Sequence, residues 1–234
     1  MSVNEQRSRI RSFVRRGARM TQSQRNAFAT QMERYGIVVT DQAVVDFDAL
    51  FGRRAPRVVE IGFGEGDSLV AMAAADADRD YIGIEVYHAG VGRLLRQIEL
   101  LGLSNLRVVH ADAVDVLRNN IPDASLDALF LFFSDPWPKK RHHKRRLVQR
   151  DFVTLVGQKL KPAGVFHMAT DWEGYAMQMM NVMSAEPAFS NQAGPGNFSK
   201  RPEYRPKTKF ERRGQRLGHD VWDLIFVRGE ATDG

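Results

Sequence analysis

The chemistry in this chain is concentrated around one carboxylate. The segment Phe132-Phe133-Ser134-Asp135-Pro136-Trp137-Pro138-Lys139-Lys140-Arg141-His142-His143-Lys144-Arg145-Arg146 passes from an apolar run to an acid, an aromatic and then unbroken cationic and imidazole side chains. A carboxylate can accept hydrogen bonds from a base and steady positive charge that develops on it. An aromatic ring can stack on a base, and Lys or Arg can hold phosphates. Pro136 and Pro138 forbid further strand pairing and stiffen the turn that carries Trp137. Charge runs are usually only solvated faces, but crowding this many like charges is repulsive, and a polyanion would offset the repulsion. Arg141, His142, His143, Lys144, Arg145 and Arg146 are therefore candidate RNA contacts. Adjacent His142 and His143 among cations, with no cysteine in the chain, make a poor metal site, and no metal is expected.

A second set of polar residues follows other short apolar runs. Glu60 leads into Gly62, Gly64 and Gly66; Glu85, Asp112 and Asp171 follow Tyr81–Ile84, Leu106–Val109 and Val165–Ala169. A single acid at a strand end is commonly a turn or cap residue. A series of them, with Asp135, along successive strands is hard to explain by capping. A glycine-rich turn with an acid about 20–25 residues on describes a ribose-binding site. The spacing is Gly-x-Gly-x-Gly with Asp67 where a dinucleotide fingerprint needs glycine, and a Walker Lys is absent. Glu60, Glu65 and Asp67 would repel a pyrophosphate. An acidic loop suits a cationic nucleoside without phosphate, and S-adenosylmethionine fits. Glu85 would take the ribose hydroxyls, Asp112 the adenine amino group and Glu60 the methionine ammonium.

The elements that position these residues alternate. Strands are expected at 58–61, 81–86, 106–110, 126–133 and 165–169, and helices at 68–75, 88–101, 113–120, 146–160 and 173–185. That alternation means a parallel sheet covered on both faces, a Rossmann-like α/β fold with ligands at the carboxyl ends of its strands. The tail differs: 187–206 holds four prolines and reads as a loop. Segments 208–213 and 221–228 read as an antiparallel hairpin completing a mostly parallel seven-stranded sheet. Residues 1–35 form a basic arm and a helix from about Ser23 to Tyr35, and 36–234 a single domain.

At 234 residues the chain can bury one large core. Its net charge of +6 is less telling than its distribution, because Lys and Arg crowd into 7–25, 139–150 and 200–216. The absence of cysteine fits a reducing cytoplasm. No run approaches the roughly 20 apolar residues of a membrane span, so no membrane partner is expected. Monomer and homodimer are equally compatible with the sequence.

Glu60-Ile61-Gly62-Phe63-Gly64, Asp135-Pro136-Trp137-Pro138-Lys139-Lys140-Arg141-His142 and Thr208-Lys209-Phe210-Glu211-Arg212-Arg213-Gly214 together resemble the bacterial tRNA (guanine-N7)-methyltransferases, class I enzymes dependent on S-adenosylmethionine. The resemblance spans roughly residues 11–228, including Arg15-Arg16-Gly17 and Arg19. It implies methylation at N7 of the variable-loop guanosine of tRNA. It further implies a cofactor at Glu60, Glu85, Asp112 and Asp135, and substrate at Lys139, Asp171, Thr208, Lys209, Phe210 and Glu211. Glu65 and Asp67 depart from the family pattern and bear on cofactor affinity. Guanine N7 carries a lone pair and no proton, so no general base is required and the rate is expected to be flat across about pH 6 to 9. Asp135 is the expected catalytic carboxylate, with Trp137 stacking on a base. The competing readings are a methyltransferase for another RNA or for a protein, a non-catalytic RNA-binding module and, more distantly, a nicotinamide oxidoreductase.

Overall fold

The computed structural model describes residues 11–13, 20–40, 43–208, 211 and 220–230. Five of its strands are the apolar runs named above: β1 (Arg57–Ile61), β2 (Asp80–Ile84), β3 (Leu106–Val109), β4 (Leu126–Phe132) and β5 (Leu160–Thr170). These pair in parallel, and β6 (Phe189–Asn191) and β7 (Trp222–Arg228) add antiparallel pairings, giving the order β3-β2-β1-β4-β5-β7-β6. The chain runs outward from β1 through β2 to β3, then returns to the other side of β1 as β4. The reversal leaves a crevice at the carboxyl ends of β1 and β4.

Strand alternation divides the core. Val59, Ile61, Leu129 and Leu131 face one layer, and Val58, Ala128, Phe130 and Phe132 the other. The first layer is closed by α5 (Ala113–Asn119), α6 (Arg150–Lys159) and α7 (Glu173–Ser184). The second is closed by α1 (Gln22–Tyr35), α3 (Asp67–Ala75) and α4 (His88–Leu101). Val91, Leu94, Leu95 and Ile98 make the expected buried stripe of α4. A capping box between Thr21 and Gln24 starts α1. The helix crosses α4 so closely that a Cβ at Gly92 would lie 2.6 Å from the Gln24 carbonyl oxygen. A short α2 (Phe47–Phe51), unanticipated from the sequence, buries Phe47.

Three expectations are corrected. The helix expected over 146–160 begins only at Arg150, after a 3-10 turn at Lys140–Arg145. β5 starts earlier than 165, because Leu126 pairs with Leu160 and the register shifts before Ala128 pairs with Val165. Residues 161–164 form that irregularity, with Ala163 at φ +61°. The described edge partner of β7 is β6, from inside the proline-rich loop. Thr208 is irregular and Glu211 helical, while the rest of that segment lies outside the described residues.

Candidate active site

The crevice opens into a cavity of about 210 Å³. Ile61, Ile84 and Leu131 line it from the ends of β1, β2 and β4, and Gly62, Glu85, Asp112, Ser134 and Asp135 from the turns that follow β1, β2, β3 and β4. Parallel register brings these strand ends together, Ile61 pairing with both Ile84 and Leu131.

The glycine turn holds its shape through backbone conformation. Gly62, Gly64 and Gly66 have φ of +72°, +58° and +81°, where a side chain is strained. The turn lies against α4, and a Cβ at Gly90 would stand 1.9 Å from the Gly64 carbonyl oxygen. Only glycine at position 90 admits that approach. Gly64 N–H donates to Glu85 Oε2 (2.9 Å), while Val86 and Tyr87 N–H donate to Oε1 (2.6 and 2.9 Å). Burial nonetheless raises the Glu85 pKa against those three donors, and Asp135 adds to the rise.

Glu60 lies deeper. It shares the face of Val58, is only 3% exposed, and its Oε2 has no hydrogen-bond partner among the described residues. Burial, and then the charge of Glu85, push its pKa up to about 8. Asp112 caps α5, its Oδ1 accepting from Val114 N–H (3.0 Å), while also lining the cavity. Glu65 and Asp67 are less of an acidic threat than their types suggest. Arg93 of α4 pairs with both, at 2.7 and 2.8 Å.

Asp135 is exposed at the cavity rim, and Asp171 is exposed beyond β5. The two loops share a starting point, since Phe132 pairs with Ala169 and Phe133 N–H donates to the Ala169 carbonyl (2.8 Å). Phe133 and Trp137 adopt φ of +54° and +44°, uncommon for bulky residues and often found at functional sites. Lys139, Lys140, Arg141 and Lys144 are exposed; His142, His143 and Arg145 are half-buried. Desolvation, and then Arg141, Arg145, Lys139 and Lys144, lower the His142 pKa.

Arg146 separates from this run. It is 4% exposed, donating to the carbonyls of Pro136 (2.8 Å) and Gly174 (3.1 Å) and to Gln178 Oε1 (2.6 Å). It braces the proline turn against α7, which corrects its expected place among the RNA contacts. Trp137 is also occupied. Its indole N–H donates to the Ser12 carbonyl (2.9 Å), and the Arg145 guanidinium lies over its ring at 4.6 Å. It is thus not the open stacking surface expected. Ser12 and Phe13 of the arm line the cavity, a contribution that sequence reasoning missed.

Glu211 is likewise turned inward. Arg205 binds both its oxygens (2.8 and 3.1 Å) and both oxygens of Asp223 (2.7 and 2.9 Å), and Arg205 is 1% exposed. Glu211 does not line the cavity, so its carboxylate is an anchor here and not the substrate contact expected. Thr208 Oγ1 accepts from Glu211 N–H (3.0 Å), and Lys209 and Phe210 lie outside the described residues. The cluster continues through His167, whose Nε2–H donates to Asp223 (2.8 Å) and whose Nδ1 accepts from the Tyr204 hydroxyl (2.9 Å). Burial lowers the His167 pKa despite Asp223, so that neutral tautomer is the one in place.

Comparison with known proteins shows the family and the fold. A family model described as "Putative methyltransferase" matches residues 54–224. The tRNA (guanine-N(7)-)-methyltransferase of Alcanivorax borkumensis is 58% identical over 220 residues, covering 94% of this chain and 92% of that protein. The Hydrogenovibrio crunogenus protein of the same name is 52% identical, with 97% and 94% coverage. Among solved structures, the 16S rRNA methyltransferase KamB superposes with a TM-score of 0.59 at 15% identity, over 83% of this chain and 99% of that one, a likeness of fold. By its matched residues and its relatives, the chain belongs to the tRNA (guanine-N(7)-)-methyltransferase family.

Proposed function

We propose that this protein transfers a methyl group from S-adenosylmethionine to N7 of a guanosine in the variable loop of tRNA, forming 7-methylguanosine. The reading rests chiefly on one observation. The carboxyl ends of β1, β2 and β4, with the loop after β3, converge Gly62, Glu85, Asp112 and Asp135 on one cavity, next to an exposed cationic run.

The residues fit a cationic nucleoside. A carboxyl group that is buried, unpartnered at Oε2 and raised to about 8 is poorly served by its own protein. A neighbouring ammonium would relieve it, which suits Glu60 to the amino-acid end of the ligand. Glu85 would receive the ribose hydroxyls, Asp112 the adenine amino group, and Gly62, Gly64 and Gly66 would let the backbone approach. Bound there, S-adenosylmethionine supplies an electrophilic methyl group carried by a sulfonium.

The rest of the work is placement. Guanine N7 offers its lone pair without losing a proton, so the protein needs no base and gains rate by aligning two partners. Asp135, at the rim, would accept from guanine N1–H and the exocyclic amine and stabilise the positive charge that arrives on the purine. Adenine lacks that donor pattern. Asp171 would assist from the neighbouring loop, Thr208 would close the substrate side, and Lys139 with Lys140, Arg141 and Lys144 would hold phosphates. The arm of residues 1–35 would extend the RNA contact beyond the catalytic domain of 36–234, in the cytoplasm.

The test is mass spectrometry of nucleosides from tRNA incubated with the protein and S-adenosylmethionine. New 7-methylguanosine is expected with the parent, and none with Asp135→Ala, which should still bind tRNA. A different methylated nucleoside, or none with the folded parent, would refute the proposal.

A further inference from the structure

Trp172 is an exposed aromatic on the same rim. It is 42% exposed and belongs to neither hydrophobic core. Among the described residues no ring or guanidinium lies against it, in contrast to Trp137 under Arg145. It also occupies the N-cap of α7, where Ser, Thr, Asp or Asn would cap the helix, and its side chain makes no capping bond. Local stability does not explain a large apolar ring at that position.

Its neighbours indicate what would cover it. Phe132 and Ala169 are paired across β4 and β5, so Asp135 and Trp172 each stand three residues beyond one rung of the sheet. Arg146 then joins the Pro136 and Gly174 carbonyls, fixing the start of α7 beside the turn that carries Lys139 and Lys140. An aromatic face, two exposed carboxylates and a bank of exposed cations thereby share one surface. Phosphate-binding cations next to an open ring form the pairing that holds unstacked nucleic acid, because every base has a face to stack while its backbone meets the charges.

We propose that Trp172 is the stacking platform for an unstacked base of the RNA substrate. This rests on the RNA-methylating reading above and adds a residue that the sequence resemblance does not assign. Base–aromatic stacking of about 1–3 kcal/mol corresponds to roughly 5- to 150-fold in affinity.

The experiment measures tRNA dissociation constants by filter binding over a range of salt, with parent, W172A, W172L and W172F. Formation of 7-methylguanosine by the parent in the same preparation checks the underlying reading separately, since that reading fails if the parent makes none. The platform predicts that W172A weakens tRNA binding by at least about 5-fold with an unchanged salt slope, because no phosphate contact is lost. It further predicts that W172F recovers most of the affinity and W172L does not. A packing role would instead let leucine restore binding as well as phenylalanine. That result, or W172A binding within twofold of an active parent, would overturn the proposal.

Discussion

Replacing Glu60 with glutamine should separate cofactor affinity from fold stability, and the size of both effects follows from one number. With a pKa near 8, Glu60 is only about one-tenth ionised at pH 7 in the cofactor-free protein. A cationic ligand that needs it ionised must displace the proton. Its dissociation constant should then fall roughly tenfold from pH 6 to pH 7 and level off above about pH 8. The ligand's own α-ammonium titrates at about 7.7–8.0, but it does so equally for both proteins. The ratio of Glu60→Gln to parent dissociation constants therefore isolates Glu60. Isothermal calorimetry in buffers of different ionisation enthalpy should find about 0.9 more protons released per ligand by the parent than by the variant at pH 7.

Stability moves the other way. A carboxyl whose folded pKa is raised above 4.5 binds more protons when folded, so its penalty is absent below pH 4.5 and grows as pH rises toward about 8. At pH 7 the penalty is roughly 3 kcal/mol, and its removal in Glu60→Gln corresponds to a melting temperature higher by roughly 6–12 °C. The gap between variant and parent should close at pH 4.5. Equal proton release by the two proteins, or a parent dissociation constant that is flat from pH 6 to 8, would refute the assignment. The flat rate expected from the chemistry then applies to kcat at saturating cofactor, and the acid limb appears in kcat/KM for the cofactor.

Reversing Lys139, Lys140, Arg141 and Lys144 to glutamate should weaken tRNA binding and reduce the steepness of its salt dependence, while leaving cofactor binding by calorimetry within a few-fold; unchanged tRNA affinity would remove these cations from the interface. Arg205→Met strands two buried carboxylates and should cost about 3–5 kcal/mol in denaturant unfolding, because neither Glu211 nor Asp223 keeps its guanidinium partner. A loss under 1 kcal/mol would show that the cluster relaxes into water.

The parts of this protein that were legible in sequence are those written in short-range pattern. Apolar runs of strand length followed by an acid located Glu85, Asp112 and Asp135 at one rim, because parallel register leaves little freedom in where a strand end goes. The buried stripe of α4 was legible for the same reason, as period and burial agree at Val91, Leu94, Leu95 and Ile98. What escaped depends on partners distant in the chain. Arg146 is of the same type as Arg145, and what separates them is a pair of carbonyls, Pro136 and Gly174, brought together only when α7 docks. Glu211, expected on a hairpin strand as a substrate contact, is instead bound by Arg205, which also holds Asp223. β6 has three residues, too few for any periodicity, and takes its conformation from the exposed edge of β7.

The misplaced residues share a physical cause that bears on how the site works. A cationic or acidic side chain reads as solvated because desolvating it alone is costly, and it can be buried only where the fold supplies partners in advance. Arg146 and Glu211 are such cases: Arg146 holds the proline turn after Asp135 against α7, and Glu211 is held by Arg205. Glu60 is the opposite case, desolvated with its Oε2 left unpartnered. If that difference is functional, a neutral replacement should be harmful at Arg205, where partners exist, and stabilising at Glu60, where the missing partner is the ligand. Opposite signs of stability change for the two substitutions, measured at one pH near 7, would distinguish a preformed anchor from a site awaiting a cation. The same sign for both would mean that Glu60 is satisfied by the protein after all.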